Sequence, residues 1–228
     1  MIKSETPQET IEKINSVLKE PFLVNGFLLK RKFFYESENK TTGNIDQYEI
    51  SLSKPKGYFS LHLILNVLNK KIMDGFNQVL KKTLLDDEYM YPNNWVKKNI
   101  DDGIKSATSE MKLMSLTDWK QLKEDKESLE QFNFRFSIWL CVFDTIEEIS
   151  AWKNQLILSV DLSQKWFEKV HDINYIIKST DLKALYFLNQ QEDFKRLNKK
   201  YKEILTYQEK NNINTNKLKL FYKHLINS

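Results

Sequence analysis

The chain of 228 residues is 41% apolar and 29% charged, with 35 lysines and arginines against 31 aspartates and glutamates. Its aromatic content of 13% is higher than disordered chains carry, and five glycines with four prolines exclude collagen-like and linker-like classes. The sequence therefore predicts a folded protein with a sizeable core.

Cysteine usage and hydropathy set expectations about the compartment. The single cysteine, Cys141, cannot form a disulfide within the chain, which favours a reducing environment, and we expect the cytoplasm. No apolar run approaches the roughly 20 residues that a membrane span requires. The N-terminal residues read as a capped helix and not as a signal peptide, so no membrane association is expected.

The first predicted element is a helix whose start is well marked. Thr6 is placed as the N-cap, Pro7 as the first helical residue and Glu9 as the partner of a capping box. Apolar residues then recur at helical spacing and predict a face turned toward a core: Ile11, Ile14, Leu18 and Phe22.

Three β-rich runs follow, at Phe27–Glu36, Asp46–Leu52 and Tyr58–Leu68. Turn-like segments separate them, the second at Lys54–Gly57, and consecutive strands joined by short turns predict an antiparallel meander. A helix from Lys70 to about Lys82 is predicted to pack on this sheet.

The middle of the chain has weaker patterns. Residues 84–130 are interpreted as an insertion with short helices and a strand at Ser109–Met114. Gln131–Phe143 alternates apolar and partly polar residues and is predicted to be a central strand. A second capping box, formed by Thr145 and Glu148, predicts the start of a long amphipathic helix, with a break at Leu162-Ser163 left open.

Beyond His171 the pattern is helical to the end. Together these elements predict the α+β class: an antiparallel sheet of about four or five strands, helices packed on one face, and a C-terminal helical extension. We expect a sheet domain over residues 1–178, with the insertion at about 84–130, and the extension over residues 179–228, packed on or beside it.

Three motifs carry a resemblance to a known family: Pro21-Phe22-Leu23, Asn25-Gly26-Phe27 and Lys30–Tyr35. They resemble the opening of the family known as domain of unknown function 4304, in which a leading helix is followed by an antiparallel sheet and a later helix. The resemblance covers residues 6–53 well and 132–170 loosely. It implies that fold without an established activity, and it transfers no catalytic residue.

One candidate site depends on the predicted sheet. The strands predicted at Asp46–Leu52, Tyr58–Leu68 and Gln131–Phe143 each have an apolar face. If the helices cover these three faces, the reverse face of the sheet carries Glu49, His62 and Arg135 among other polar residues. A carboxylate, an imidazole and a guanidinium together could recognise a partner or a small anionic ligand. The alternative is that this face is simply solvated, as one face of an antiparallel sheet commonly is.

Other chemistry lacks a signature in the sequence. There is no zinc-binding spacing, no nucleotide-binding glycine motif and no nucleophile elbow, so no metal and no cofactor is predicted. Cys141 lies in an apolar run, where a thiol is usually a small buried hydrophobe. The acidic clusters Asp86-Asp87-Glu88 and Asp101-Asp102 could supply oxygen ligands to Mg²⁺ or Ca²⁺, but adjacent carboxylates without EF-hand spacing are typical of solvated turns.

The charge pattern bears on partners. Residues 191–228 hold nine lysines and arginines against four aspartates and glutamates, but only three arginines occur in the whole chain. Because arginine supplies the fork that reads phosphates and guanine edges, nucleic-acid binding is disfavoured, with the basic tail as its one support. We leave the oligomeric state open.

The favoured function is a non-catalytic domain that binds another macromolecule, such as a protein, in the manner of toxin-neutralising immunity proteins. The alternative is a small-ligand binder or enzyme that uses Glu49, His62 and Arg135. Both are hypotheses from the pattern of residues, since no catalytic motif decides between them.

Overall fold

The computed structural model describes residues 5–54, 57–91 and 99–227. Its strands are β1 (Leu28–Lys30), β2 (Phe34–Asn39), β3 (Asn44–Ser53), β4 (Phe59–Leu68), β5 (Lys112–Leu116) and β6 (Val142–Phe143). Its α-helices are α1 (Pro7–Val24), α2 (Lys70–Leu84), α3 (Ile100–Ala107), α4 (Leu129–Arg135), α5 (Trp152–His171), α6 (Ile173–Ser179), α7 (Leu182–Gln190), α8 (Phe194–Lys210) and α9 (Asn216–Ile226). The predicted α+β class, with an antiparallel sheet and C-terminal helices, is confirmed.

The chain folds as two compact units. Unit 1 comprises Met1–Leu68 and Met114–Val170, and unit 2 comprises Asn69–Leu113 and His171–Ser228. The expected boundary between the sheet domain and the C-terminal extension was after residue 178. The observed division differs, because α2 and α3 belong with the C-terminal helices. No helix of the described residues is both long and apolar enough to span a membrane.

The sheet of unit 1 is built around the predicted meander. Strands β1 to β4 pair in chain order, each antiparallel to the next, and β5 follows β4 in the sheet. The short β6 also pairs with β4, with Phe143 opposite Phe59. The middle of the predicted turn at Lys54–Gly57, residues 55 and 56, lies outside the described residues.

The first predicted strand is in fact a hairpin. Arg31 and Lys32 adopt positive φ angles of 52° and 64°, and the chain reverses there, so that Lys30 pairs with Phe34. Non-glycine residues rarely adopt this backbone conformation. The side chain of Asn15 on α1 supports the turn, because its Nδ2 donates to the Lys32 carbonyl at 3.0 Å.

Helices α1 and α5 bury their apolar faces on one side of this sheet. The predicted capping box of α1 is present, with the Thr6 Oγ1 accepting from the Glu9 N–H and the Glu9 carboxylate accepting from the Thr6 N–H. Phe22 stacks on Tyr35 with ring centroids 4.4 Å apart. The Tyr48 hydroxyl lies 2.7 Å from the Ser159 Oγ of α5, so both helices are joined to the sheet by buried contacts.

The prediction of a central strand at Gln131–Phe143 is wrong. Residues 129–135 form α4, a single 3₁₀ turn follows at Ile138–Leu140, and Val142–Phe143 alone pairs with β4. Ser128 and Gln131 form a capping box that starts a helix. Because Phe132 and Phe136 are buried four residues apart, the helical period and not the two-residue period governs this segment.

The start of α5 also differs from its prediction. Thr145 makes no side-chain cap, and residues Ile146–Glu148 form a 3₁₀ turn. The helix begins at Trp152, directly after Ala151 at a φ of +50°. It then runs without a break to His171, through the buried Leu162 and Ser163.

Unit 2 is helical, apart from the start of β5. The predicted helix from Lys70 is confirmed as α2 and continues to Leu84. The helical pattern predicted beyond His171 is confirmed by α7, α8 and α9. Phe76 lies between Tyr186 and Phe221, with ring centroids 5.9 and 5.5 Å away. This aromatic cluster explains why α2 belongs with the C-terminal helices.

Candidate functional site

The structure brings together two of the three predicted site residues on one face. Glu49 on β3 and His62 on β4 both point away from the core side that Tyr48 and Leu63 occupy, since side chains alternate along a strand. His62 is exposed, and its Nε2 lies 3.3 Å from the Ser60 Oγ.

Arg135 does not lie on the sheet. It ends α4, and its guanidinium binds the Glu127 carboxylate through two nitrogens, with Nη2 2.8 Å from Oε2. The predicted three-residue cluster rested on the wrong strand assignment of residues 131–143, so this constellation is not formed on the polar sheet face.

The reverse face of the sheet carries a row of linked polar side chains instead. The Nδ2 of the fully buried Asn66 donates to the Gln47 Oε1 at 3.0 Å and to the Glu49 Oε2 at 3.1 Å. The Gln47 Nε2 donates to Glu36 at 2.7 Å, and the Ser115 Oγ donates to the Asn66 Oδ1 at 2.8 Å. Because these groups satisfy one another across four strands, the row holds the register of the sheet.

The other candidates from the sequence were the Cys141 thiol as a nucleophile and clusters of side chains as metal ligands, and the structure supports neither role for the described residues. Burial raises the pKa of the Cys141 thiol, whose Sγ donates to the Ser137 carbonyl at 3.2 Å. A thiol in that state is a poor nucleophile. Within the described ranges, His, Cys, Asp and Glu side chains do not gather in groups of three that could hold a metal ion.

The most unusual surface of unit 1 surrounds Phe134 on α4. The side chain of Phe134 is 92% exposed, while Phe132 and Phe136 on either side of it are fully buried. Val142 of β6 is 63% exposed and lines the same groove as Phe134. We call Phe134, Cys141, Val142 and Leu158 the Phe134 surface.

Two open grooves flank the Phe134 ring. One has a volume of about 720 Å³, and its lining includes all four residues of the Phe134 surface together with Asn133 and Asn154. The other has a volume of about 620 Å³ and is lined by charged residues of the loop before α4 and of α4 itself. Both grooves have Phe134 and Arg135 in their walls, so the aromatic ring stands on the ridge between them.

The local structure holds α4 in place. The capping box of Ser128 and Gln131 fixes its start, and the Arg135–Glu127 ion pair ties its end to the preceding loop. The guanidinium of Arg135 lowers the pKa of Glu127 to about 2. After the helix, the buried Gln155 side chain accepts from the Ser137 and Ile138 N–H groups at 2.7 and 2.8 Å.

The rim of the Phe134 surface is acidic. The two grooves are lined by four glutamates, Glu124, Glu127, Glu130 and Glu148, against two basic residues, Lys126 and Arg135. Of these glutamates, Glu127 is paired with Arg135, and Glu124 lies 3.8 Å from Lys165. Glu130 and Glu148 are exposed and line one groove each. The surface therefore combines an apolar centre with negative charge at its edge.

Sequence reasoning missed Phe134 because the alternating pattern assigned its side chain to the core face of a strand. The signal that was available is the Ser128-x-x-Gln131 capping box, which starts a helix here. In a helix, Phe134 lies two residues from the buried Phe132 and therefore on the other side. Comparisons of the chain with protein-family models, with curated proteins and with solved structures found no match.

Proposed function

We propose that this chain is a non-catalytic protein-binding domain that docks a basic partner on the Phe134 surface. The observation that carries the proposal is the 92% exposure of Phe134 on a helix that is fixed at both ends. Moving a phenylalanine side chain out of water is worth roughly 1.5–3 kcal/mol. Exposed aromatic side chains beside grooves are typical of binding hot spots.

The acidic rim supports a partner with positive charge around an apolar pocket. Such a pocket would receive the Phe134 ring, and lysines or arginines at its edge would face Glu130 and Glu148. An immunity-protein-like role, in which the chain covers a basic toxin, is one form of this function.

The alternative function, a small-ligand binder or enzyme on the polar sheet face, has less support. Arg135 lies on α4, and Glu49 already accepts a hydrogen bond from the buried Asn66. His62 remains on that face without a carboxylate in ion-pair distance among the residues that the structure describes.

The test compares Phe134→Ala with Leu129→Ala in affinity capture from the native lysate and then with the purified partner. Leu129 is 45% exposed on the same helix but lines neither groove, so its variant controls for loss of exposed apolar area. Phe134→Ala is expected to weaken binding about 30-fold, the effect of losing a hot spot of ~2 kcal/mol, and Leu129→Ala to leave it unchanged.

Charge is tested separately. Glu130→Lys is expected to slow association, and the affinity of the wild-type chain is expected to fall as salt rises. A partner that binds the Phe134→Ala and wild-type chains equally well contradicts the proposal. Denaturation midpoints of all variants establish that each is folded.

A further inference from the structure

A second charged surface lies on α8 of unit 2. Unit 2 carries 19 lysines and arginines against 13 aspartates and glutamates. The 17 residues of α8 contain six basic side chains and two acidic ones. The buried residues of this helix are Leu197 and Ile204, so most of its charged side chains face solvent.

One groove runs between α8 and the helices α6 and α7. It has a volume of about 360 Å³, and Ile177 and Leu188 contribute apolar lining. Its cationic lining residues are Lys178, Arg196, Lys199 and Lys200. Arg196 is oriented by Asn174, whose Oδ1 accepts from the guanidinium at 3.2 Å.

A second, shallow groove of about 540 Å³ lies between exposed side chains of α8 alone. Lys199 and Glu203 line both grooves, so together the two grooves follow α8. The second groove adds Lys202, Lys210 and the aromatic ring of Tyr207, which is 63% exposed.

The negative charges near α8 neutralise little of this surface. Glu203 lies 3.9 Å from Lys199, and Asp193 lies 3.7 Å from Arg196, both in exposed pairs of the kind that water and salt screen. No carboxylate of the described residues comes within 4.0 Å of the amines of Lys178, Lys202 or Lys210. The surface is therefore a basic strip that includes an aromatic ring.

We propose that α8 binds single-stranded nucleic acid without reading its sequence. The lysines would contact phosphates along the two grooves, and the Tyr207 ring would stack on an unpaired base. Lysine contacts phosphates as a point charge, so the scarcity of arginine disfavours base-edge recognition but not this mode. A duplex is disfavoured as the ligand, because its bases are already stacked and do not offer a free face to Tyr207.

The test is fluorescence anisotropy of the full chain with a short labelled oligothymidylate over a range of salt. Binding is expected at low salt, with a slope of log affinity against log salt of about −0.7 for each phosphate neutralised. The double variant Lys199→Gln/Lys202→Gln is expected to weaken binding about tenfold and to make the slope shallower by about 1.4.

The matched control is Lys81→Gln/Lys82→Gln. These lysines are exposed on α2 in the same unit, so the control removes equal charge away from α8. An equal loss of affinity in both double variants would overturn the proposal, because binding would then follow net charge alone. Absence of binding at low salt would overturn it too.

Tyr207 separates nucleic acid from other polyanions. Tyr207→Ala is expected to weaken binding of the oligonucleotide about tenfold, as for the loss of one stacked base, while Tyr207→Phe retains it. Binding of inorganic polyphosphate and of polyglutamate is expected to be unaffected by Tyr207→Ala. If these polyanions lose as much affinity as the oligonucleotide, or if polyglutamate binds as tightly, α8 is not a nucleic-acid surface.

Discussion

Gly75 shows how one missing Cβ shapes the aromatic cluster of unit 2. A Cβ at this position would overlap the hydroxyl oxygen of Tyr186 and would lie 3.2 Å from its Cζ. The Tyr186 ring is buried and makes an edge contact with Phe76, the residue that follows Gly75 on α2. Glycine in a helix interior costs about 1 kcal/mol relative to alanine, so its presence here is explained by packing and not by helix propensity.

Gly75→Ala is expected to lower the free energy of unfolding by up to about 2 kcal/mol, because the ~1–3 kcal/mol cost of overpacking outweighs the ~1 kcal/mol of helix propensity gained. Urea denaturation measures the change. Tyr186→Phe removes the overlapping hydroxyl, so the double variant Gly75→Ala/Tyr186→Phe is expected to recover part of the loss. A single variant that is more stable than the wild-type chain would contradict the described contact.

Asn66 has a comparable role in unit 1, as the centre of the polar row on the reverse sheet face. Asn66→Ala removes the hydrogen bonds that Asn66 makes to the Gln47 Oε1, the Glu49 Oε2 and the Ser115 Oγ, and it is expected to lower the free energy of unfolding by about 1–3 kcal/mol. The control is Ser60→Ala on the same strand and face, which is expected to change stability by less than about 0.5 kcal/mol. Equal effects of the two variants would show that the row is not a structural unit.

At the scale of elements, long amphipathic patterns predicted the fold well. Helices α1, α2 and α8 and strands β3 and β4 each have enough repeats for one period to dominate, and the Thr6–Glu9 capping box gave the start of α1 correctly. Short elements were not predictable in this way. The hairpin turn at Arg31 and Lys32 has no glycine to mark it. Its positive φ angles are stabilised by the hydrogen bond from Asn15 of α1, which is distant in sequence.

The strand prediction for the segment around α4 was wrong for a different reason. Its aromatic residues fit a two-residue period and a four-residue period equally well, since Phe132 and Phe136 are members of both. Tertiary packing decides such cases, and it turned Phe134 outward. Because the candidate site consists largely of this segment, its centre could not be identified from the strand pattern, whereas the basic character of α8 was visible in the composition of the tail.

The ion pair that ends α4 is expected to give the chain a specific response to acid. The folded-state pKa of Glu127 is about 2 against an ordinary value of 4.5, with Arg135 as the main cause. A carboxyl with a lowered pKa stabilises the fold above its unfolded pKa, and this contribution is lost as the pH falls from about 4.5 toward about 2.

Glu127→Gln is therefore expected to be less stable than the wild-type chain at pH 7, with the difference shrinking through that acidic window. Thermal denaturation followed by circular dichroism between neutral pH and pH 2 measures it. The control, Glu130→Gln, removes an exposed carboxylate of the same helix and is expected to show no such convergence. A constant difference at every pH would mean that the pair does not anchor α4.

At the scale of the whole molecule, charge differs between the two units. Unit 1 has 16 lysines and arginines against 18 aspartates and glutamates, whereas unit 2 has the excess of positive charge described above. The apolar surface with an acidic rim lies on the first, and the basic strip with an aromatic ring lies on the second. The two proposals therefore concern different units and can fail independently.

The alternation of the two units along the chain has a consequence for biosynthesis. Unit 1 is interrupted by residues 69–113, so its sheet and helix α5 come together only after residue 170 has left the ribosome. Helix α2 is also translated well before Phe221, the residue of α9 that packs on its Phe76. The apolar face of α2 therefore stays partly uncovered in the nascent chain until α9 follows, and transiently exposed apolar surface of this kind is prone to aggregation.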